Sequence, residues 1–510
     1  FILSYTNTFQ TMIYLSIFLL LLCCIYLKLK NVKEFWMKKG VPSTDFHPIM
    51  GSLTFLQRKN PAIWMRELYN NVKSRYVGIW LFWRPGLVIN CPKIARQVLI
   101  LDSDVFRNRL LSSGKTDPVG GLNLFTINVS DPLWSSIRQR LSPVFTSAKL
   151  KALHYVFYGK SINLVQRIKD DIGKGKRINL REMYADYTTD IIGESLFGVK
   201  CDATLMGHGV LSDTTKAFTK YNMWRGLAWS SIFFFPELVD IFGFSYFPKS
   251  SIAYFKKVFS AIVEKRGGYD KKIIEQVDFL DALVKMKQEA KQDNEEINDD
   301  VILAQAVIFL QAGFNTSSTN LAYVTYELAY HPQQQEKLYS ELADAKKKLG
   351  DREFDAKVLT ELPYLNCVIK EVLRKYPIMG WLDRIANTDY KIDDKLTIPA
   401  GTVVYVNAVG MQMDPNYFPE PEAFKPERFL PENSENIPSY TFMPFGEGPR
   451  HCIGERFGMN TLRYGLAFVV LNYKFQPWEN SPLPNDCEVE KRGLFYLPAK
   501  TLSVECNKNL

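Results

Sequence analysis

Between Asp300 and Glu327 the chain carries no charged residue. Asn298 precedes this stretch as an N-cap and His331-Pro332 stops it, so the pattern predicts a helix from about Asp299 to Ala329. At about 1.5 Å per residue that helix is about 50 Å long, enough to cross an entire large domain. Polar side chains from Gln305 to Thr325 make up about a third of it, which argues for a core helix rather than a membrane span. A chain of 510 residues, 46% apolar and 23% charged, is long enough to bury a large core around it. Long 3.6-residue apolar patterns run from Leu150 to about Lys375, and strand signals are few. The expected fold class is mainly α with a minor β part: one large domain preceded by an N-terminal membrane anchor helix.

The strand signals are local. Tyr76–Trp83 and Leu87–Asn90 flank Arg84-Pro-Gly86 as a hairpin, and Lys391–Ile398 with Thr402–Val406 reads as a second pair. Lys285–Asp300 is dense in both charge signs and is expected to be a surface crossing between two helices. Trp229–Pro236 and Ile241–Pro248 concentrate aromatics around Pro and Gly, and read equally well as core or as a patch in the membrane interface.

Met12–Leu27 is an apolar run of about sixteen residues, at the short end for a bilayer span, and lacks a small-residue cleavage site. Lys28, Lys30, Lys33, Lys38 and Lys39 come directly after it, a flank retained on the cytoplasmic side. Residues 12–28 therefore read as an uncleaved signal anchor and 29–51 as a basic, proline-containing hinge. Phe1 is not methionine and Met12 is a candidate start, so 1–11 read as a non-native leader. The net charge of +9 suits anionic lipid or an acidic partner protein; without a concentrated Arg/Lys block, no nucleic-acid partner is expected. Eight cysteines without a CxxC pair argue against a disulfide scaffold and a zinc site.

One of these cysteines, Cys452, sits in Phe445-Gly-Glu-Gly-Pro-Arg450-His-Cys-Ile-Gly454, just before a predicted helix from Glu455. Backbone N–H groups and a helix N-terminus lower a thiol pKa, so a thiolate is expected here. Glu371 and Arg374 lie one turn apart on a helix with one apolar face, ended by Pro377. Within the long helix, Ala312-Gly-Phe-Asn-Thr-Ser317 combines a helix-weakening Gly313 with a hydroxyl able to bond back, conditions that open a local groove.

Phe445, Gly448, Arg450, Cys452 and Gly454 match every fixed position of the Phe-x-x-Gly-x-Arg-x-Cys-x-Gly pattern of cytochrome P-450 enzymes, and the chain resembles that family over essentially its whole length. The resemblance implies haem b with Cys452 as axial thiolate and metal ligand, Phe445 beside the sulfur, and Arg450 on a haem propionate. His451 is the rival ligand within the loop. Glu371 and Arg374 match Glu-x-x-Arg, and Arg428 in Pro426-Glu-Arg-Phe429 is the third member of the interlock that supports the haem loop. Trp134-Ser-Ser-Ile-Arg138 resembles Trp-x-x-x-Arg, which with Arg384 implies further propionate contacts. Gly313, Asn315 and Thr316 occupy the oxygen-activation motif, Thr316 supporting proton delivery; Asn315 departs from the family's acidic residue and cannot relay a proton by titrating.

In function, the resemblance implies a monooxygenase, catalytic over residues 52–510, that inserts one oxygen atom into lipophilic substrates. Its electrons come from NADPH through a reductase, with cytochrome b5 as a possible second donor. The localisation implied is the endoplasmic reticulum membrane with the domain facing cytosol, and the subgroup resembled is the microsomal xenobiotic-metabolising one of insects. Leu110–Phe125, Ile308–Thr316, Ile378–Leu382 and Gly493–Leu497 are the expected pocket segments, and Arg138, Arg140, Lys149, Lys151 and Arg456 the expected reductase-docking cations. Two alternatives stay open: a haem-thiolate protein that binds a ligand without turnover, and an oxygen-independent isomerase or dehydratase.

Overall fold

The computed structural model describes residues 2–509 except 272, 274–277, 294 and 296, with side chains from residue 12 onward. Helix α1, Ile2–Lys38, holds the apolar run with its side chains outward, Tyr14 being 69% and Leu20 67% exposed. It is long and apolar enough to cross a membrane. The helix does not end at the lysines. It continues to Lys38 and docks: Trp36 is fully buried and its indole donates to Ile79 O at 3.0 Å, while the Trp80 indole donates to Val32 O at 2.9 Å. Residues after it are fastened as well, with Gly78 N–H donating to Pro42 O and Trp80 N–H to Ser52 Oγ. The hinge expected over 29–51 is therefore helix and packed chain; burial of Trp36 outweighs the solvation of the lysines around it.

Strand β1, Tyr76–Leu81, pairs antiparallel with β2, Arg84–Ile89, and the turn is Phe82-Trp83, two residues ahead of the expected Arg84-Pro-Gly86. Phe82 takes φ +55° there, and its ring packs edge-on against Phe235 at 4.8 Å. Gly86 stays in the ladder because β2 also pairs, in parallel, with β7, Val403–Val406. Ile178–Asn179 is β3, Leu382–Ile385 is β4, and β4 completes the sheet in the order β1-β2-β7-β4. Strands β5, Tyr390–Lys391, and β6, Thr397–Ile398, close on each other, because the Asp393 carboxylate accepts from the N–H groups of Lys395 and Leu396 and turns the chain early. The expected pairing of 391–398 with 402–406 does not form. Strands β8, Tyr473–Pro477, and β9, Ser503–Lys508, make a separate sheet with β3.

The helices that frame the interior are α2 (Pro132–Leu141), α3 (Leu180–Phe197), α4 (Met223–Phe234), α5 (Phe279–Gln292), α6 (Asp299–Tyr330), α7 (Pro363–Lys375) and α8 (Glu455–Asn472). Asn298 caps α6, its side chain accepting from Val301 N–H, and Val301–Gln311 are all buried, so the long uncharged helix is enclosed by protein. At its far end Glu327 accepts from Lys375 Nζ and Tyr376 Oη, which compensates a carboxylate with no exposed surface. The charged stretch expected as a crossing is largely helical. It forms the second half of α5, with Met286 and Ala290 buried, and the crossing shrinks to the residues after Gln292. The aromatic segments are mostly core: Trp229, Phe233, Phe234, Phe244, Tyr246 and Phe247 are buried, whereas Trp224, Ile241 and Phe242 face outward.

Replacing the buried Trp36 by Ala is expected to lower the unfolding free energy of the globular part by about 3–5 kcal/mol, the range for a buried aromatic truncated to alanine. A denaturant titration of detergent-solubilised protein checks it; an unchanged midpoint would mean that α1 is only tethered.

Candidate functional site

The loop before α8 is closed on itself. Cys452 N–H donates to Phe445 O at 2.9 Å and His451 N–H to Gly448 O at 2.9 Å. Gly448 has φ +74°, and a Cβ there would overlap the carbonyl oxygen of Leu99, so only glycine lets the loop sit this close to the segment behind it. The accessible surface of Cys452 faces an interior cavity and not bulk solvent. Burial pushes this thiol above its ordinary pKa, and the Gly454 N–H opposes that only in part. The expected direction is thus reversed: desolvation of the sulfur outweighs the backbone donors, and a metal ion, not the helix terminus, is what would deprotonate it. The imidazole of His451 is engaged by Glu455 at 2.9 Å, which also raises its pKa.

Glu371 and Arg374 on α7 form a bidentate pair, Nε to Oε2 and Nη2 to Oε1 both at 2.8 Å, with neither side chain exposed. Arg428 joins at 3.3 Å through Nε to Glu371 Oε1, and the Lys425 N–H donates to the same oxygen. Arg374 also donates to Gln412 O and Pro421 O. Gln412, which sequence reasoning missed, completes the connection: its amide donates to the carbonyls of Leu373 and Arg374 and its Oε1 accepts from Met443 N–H, two residues before Phe445. The pair on α7 is thereby coupled to the start of the cysteine loop.

Four guanidiniums converge on the cavity: Arg109, Arg138, Arg384 and Arg450. Arg138 donates to His451 O at 2.9 Å, Arg450 to Ile127 O at 2.7 Å and Arg384 to Asp383 O at 2.7 Å. Trp134, on α2 with Arg138, donates to Leu124 O, and the Arg450 guanidinium lies 5.3 Å from its ring. Desolvation, aggravated by Arg109 and Arg384, pushes Arg450 down to about 8; desolvation and Arg109 push Arg384 down to about 9. The Asp383 carboxylate opposes both shifts only in part. The Nε atoms of Arg109 and Arg450 are buried without a hydrogen-bond partner among the described residues. Such a cluster is costly unless anionic oxygens complete it. The residues therefore fit a group that brings carboxylates to the guanidiniums and a metal to the Cys452 sulfur, as haem would. Arg109, 4.7 Å over the Phe125 ring, was not anticipated, since Phe106-Arg-Asn-Arg109 carries no spacing that marks it.

Into the same cavity α6 presents Ile308, Phe309, Gln311, Ala312, Asn315 and Thr316. The Thr316 hydroxyl donates to Ala312 O at 2.7 Å. Gly313 does not line the cavity; its α-carbon abuts the Ile192 side chain on α3, so it serves helix packing, and α6 continues through the segment unbroken. The expected pocket segments contribute in part, through Leu124 and Phe125, Ile378, Met379 and Leu382, and Phe495, joined by the unanticipated Tyr246. Two of the expected docking cations are committed elsewhere: Arg138 points inward, and Arg140 is held by Glu289, Asp293 and Glu295. Lys151 and Arg456 are exposed.

A family profile described as Cytochrome P450 matches residues 41–505. The chain belongs to the cytochrome P450 family. Its curated relatives include "Cytochrome P450 6k1" of Blattella germanica, 31% identical over 88% of each chain. "Probable cytochrome P450 6g2" of Drosophila melanogaster is 32% identical over 90% of this chain and 91% of that one. "Cytochrome P450 3A9" of Rattus norvegicus is 33% identical over 94% of each. As a P450, the protein is a haem-thiolate enzyme of the monooxygenase class.

Glu371→Ala in this P450 strands the Arg374 charge in the interior, and a loss of about 3–5 kcal/mol is expected, with a matching fall in the fraction of protein that takes up pigment. Thermal melts and haem content read it; a cost below about 1 kcal/mol, as for an exposed pair, would refute the structural role.

Proposed function

We propose that this P450 is a membrane-anchored monooxygenase of lipophilic molecules in which Cys452 is the axial ligand of haem iron, fed with electrons from NADPH by a reductase. The observation that supports it best is the placement of one sulfur and four guanidiniums on the wall of one mostly apolar cavity, two of them, Arg109 and Arg450, with a buried Nε that has no partner among the described residues, and with the Thr316 hydroxyl lining the same cavity. Haem, when bound, supplies the binding of dioxygen and its reductive cleavage. Arg109, Arg138, Arg384 and Arg450, with Trp134, would hold its carboxylates. Glu371, Arg374, Arg428 and Gln412 fix the chain that leads into the cysteine loop.

Thr316 is the proton-handling group. Its O–H donates to Ala312 O, which leaves the oxygen lone pairs for a water in the cavity; rotation of the hydroxyl away from Ala312 lets Oγ1 pass a proton onward. Asn315, 4% exposed, positions water by its amide but holds no titrating proton. The walls of Phe125, Ile308, Phe309, Ile378 and Phe495 exclude bulk water and select apolar substrates. The apolar outer face of α1 supports anchoring in the endoplasmic reticulum membrane, with the lysine flank and the globular part on the cytosolic side. Exposed Lys151 and Arg456, the latter at the start of α8 beside the cysteine loop, are the cations that remain for an acidic redox partner, the reductase or cytochrome b5.

Asn315 favours a second reading, ligand binding with little turnover, and two measurements separate the two. Cys452→Ser is expected to abolish the thiolate-type absorption of the reduced, CO-bound protein and product formation; retention of both would refute the assignment. Asn315→Asp is expected to raise product formed per NADPH consumed by about ten-fold, restoring an acid to the relay. An unchanged ratio would show that the amide does not limit proton delivery, and wild-type protein that binds lipophiles yet makes no product with reductase would establish the second reading.

A further inference from the structure

Among the described residues, the buried glutamines are, with one exception on the cavity wall, engaged at both ends of the amide by the backbone. Gln305 on α6 accepts from Leu124 N–H at 2.9 Å and donates to Leu122 O at 2.7 Å and Val301 O at 3.0 Å. Gln335 and Gln412 likewise have both ends of their amides engaged. Gln311 lies on the same helix as Gln305, is 3% exposed and lines the cavity, and its Oε1 is buried without a partner. No protein group among the described residues pairs with its Nε2 either. Tyr246, 1% exposed, also lines the cavity; its backbone is bonded to Asp117 and Trp229, but its hydroxyl has no protein partner among the described residues.

A buried amide left unpaired is unfavourable, and natural interiors rarely keep one without a use. The same cavity is lined by Ile308, Phe309, Phe125 and Phe495, which offer no hydrogen bond. We infer that Gln311, with Tyr246, is a substrate-orienting anchor, and that this P450 prefers lipophiles carrying an oxygen function, an alcohol, ketone or ester, over plain hydrocarbons. An amide that both donates and accepts, on the same cavity as a hydroxyl that does the same, recognises such a group in either role and leaves the apolar remainder of the molecule to the apolar lining. This rests on the cavity being the substrate site proposed above and adds the class of molecule it selects.

The test compares 2-adamantanone with adamantane on full-length, haem-loaded protein, by equilibrium dialysis and by the shift of the haem absorption band. Wild-type protein is expected to bind the ketone about five-fold more tightly than the hydrocarbon, the worth of one neutral hydrogen bond, and Gln311→Leu to erase that preference while binding adamantane at least as well. Equal wild-type affinities, or a ketone preference that survives Gln311→Leu, overturn the inference and leave ordered water as the partner of the amide. Should Gln311→Leu fail to load haem, Tyr246→Phe and the wild-type ratio still decide, since loss of preference in the former supports the anchor and equality in the latter refutes it. Dialysis reads binding without turnover, so failure of oxygen chemistry counts against the proposed function, and a flat ratio against the anchor alone.

Discussion

The arrangement of the interior depends on a buried ion pair. Glu371 and Arg374 have no exposed surface, and an isolated charge at either position would be strongly destabilising. Both partners are well supplied: two parallel hydrogen bonds within the pair, Arg428 and the Lys425 N–H on Oε1 of the carboxylate, and two carbonyls with the Met413 sulfur on the guanidinium. Because those carbonyls belong to chain that runs toward the cysteine loop, satisfying the pair fixes where that chain passes. Desolvation makes the pair weak as a source of net stability and strong as a constraint on geometry, since any displacement leaves a charge unpaired.

The cavity inverts this logic. On one side the protein concentrates cations without enough anions; on the other it presents mostly hydrocarbon with isolated polar groups. The first side is unfavourable until carboxylates arrive, and the downward pKa shifts of Arg384 and Arg450 express that cost. The second is favourable for a lipophile as it stands. Recognition of a charged cofactor and an uncharged substrate in one space is thus a result of an uneven distribution of guanidiniums.

Much of this was legible in the residues. The extent of α6 could be read from an N-cap, a proline stop and the missing charges, all local signals. The cysteine loop, the Glu-x-x-Arg turn and Trp134 with Arg138 were marked by fixed spacings, and the structure gathers them around one cavity or beneath it. What escaped were features set by distant partners. Arg109 and Gln412 have no sequence spacing to the groups they serve. The hairpin turn moved to Phe82 because Gly86 was claimed by a parallel strand over three hundred residues away. The charged segment became helix because Met286 and Ala290 had a core to enter, and the burial that raises the metal-free Cys452 thiol cannot be read from its neighbours in sequence.

The docking of α1 has a geometric consequence. A helix clamped at Val32 and Trp36 turns with the body it holds, so the azimuth of the globule about the helix axis is set by the number of residues between the apolar run and the clamp. One residue inserted there would swing the whole body by about 100° and shift it by about 1.5 Å along the axis. The segment from Lys28 to Val32 therefore acts as a protractor, and its length decides which flank of the protein is turned to whatever surface receives the helix.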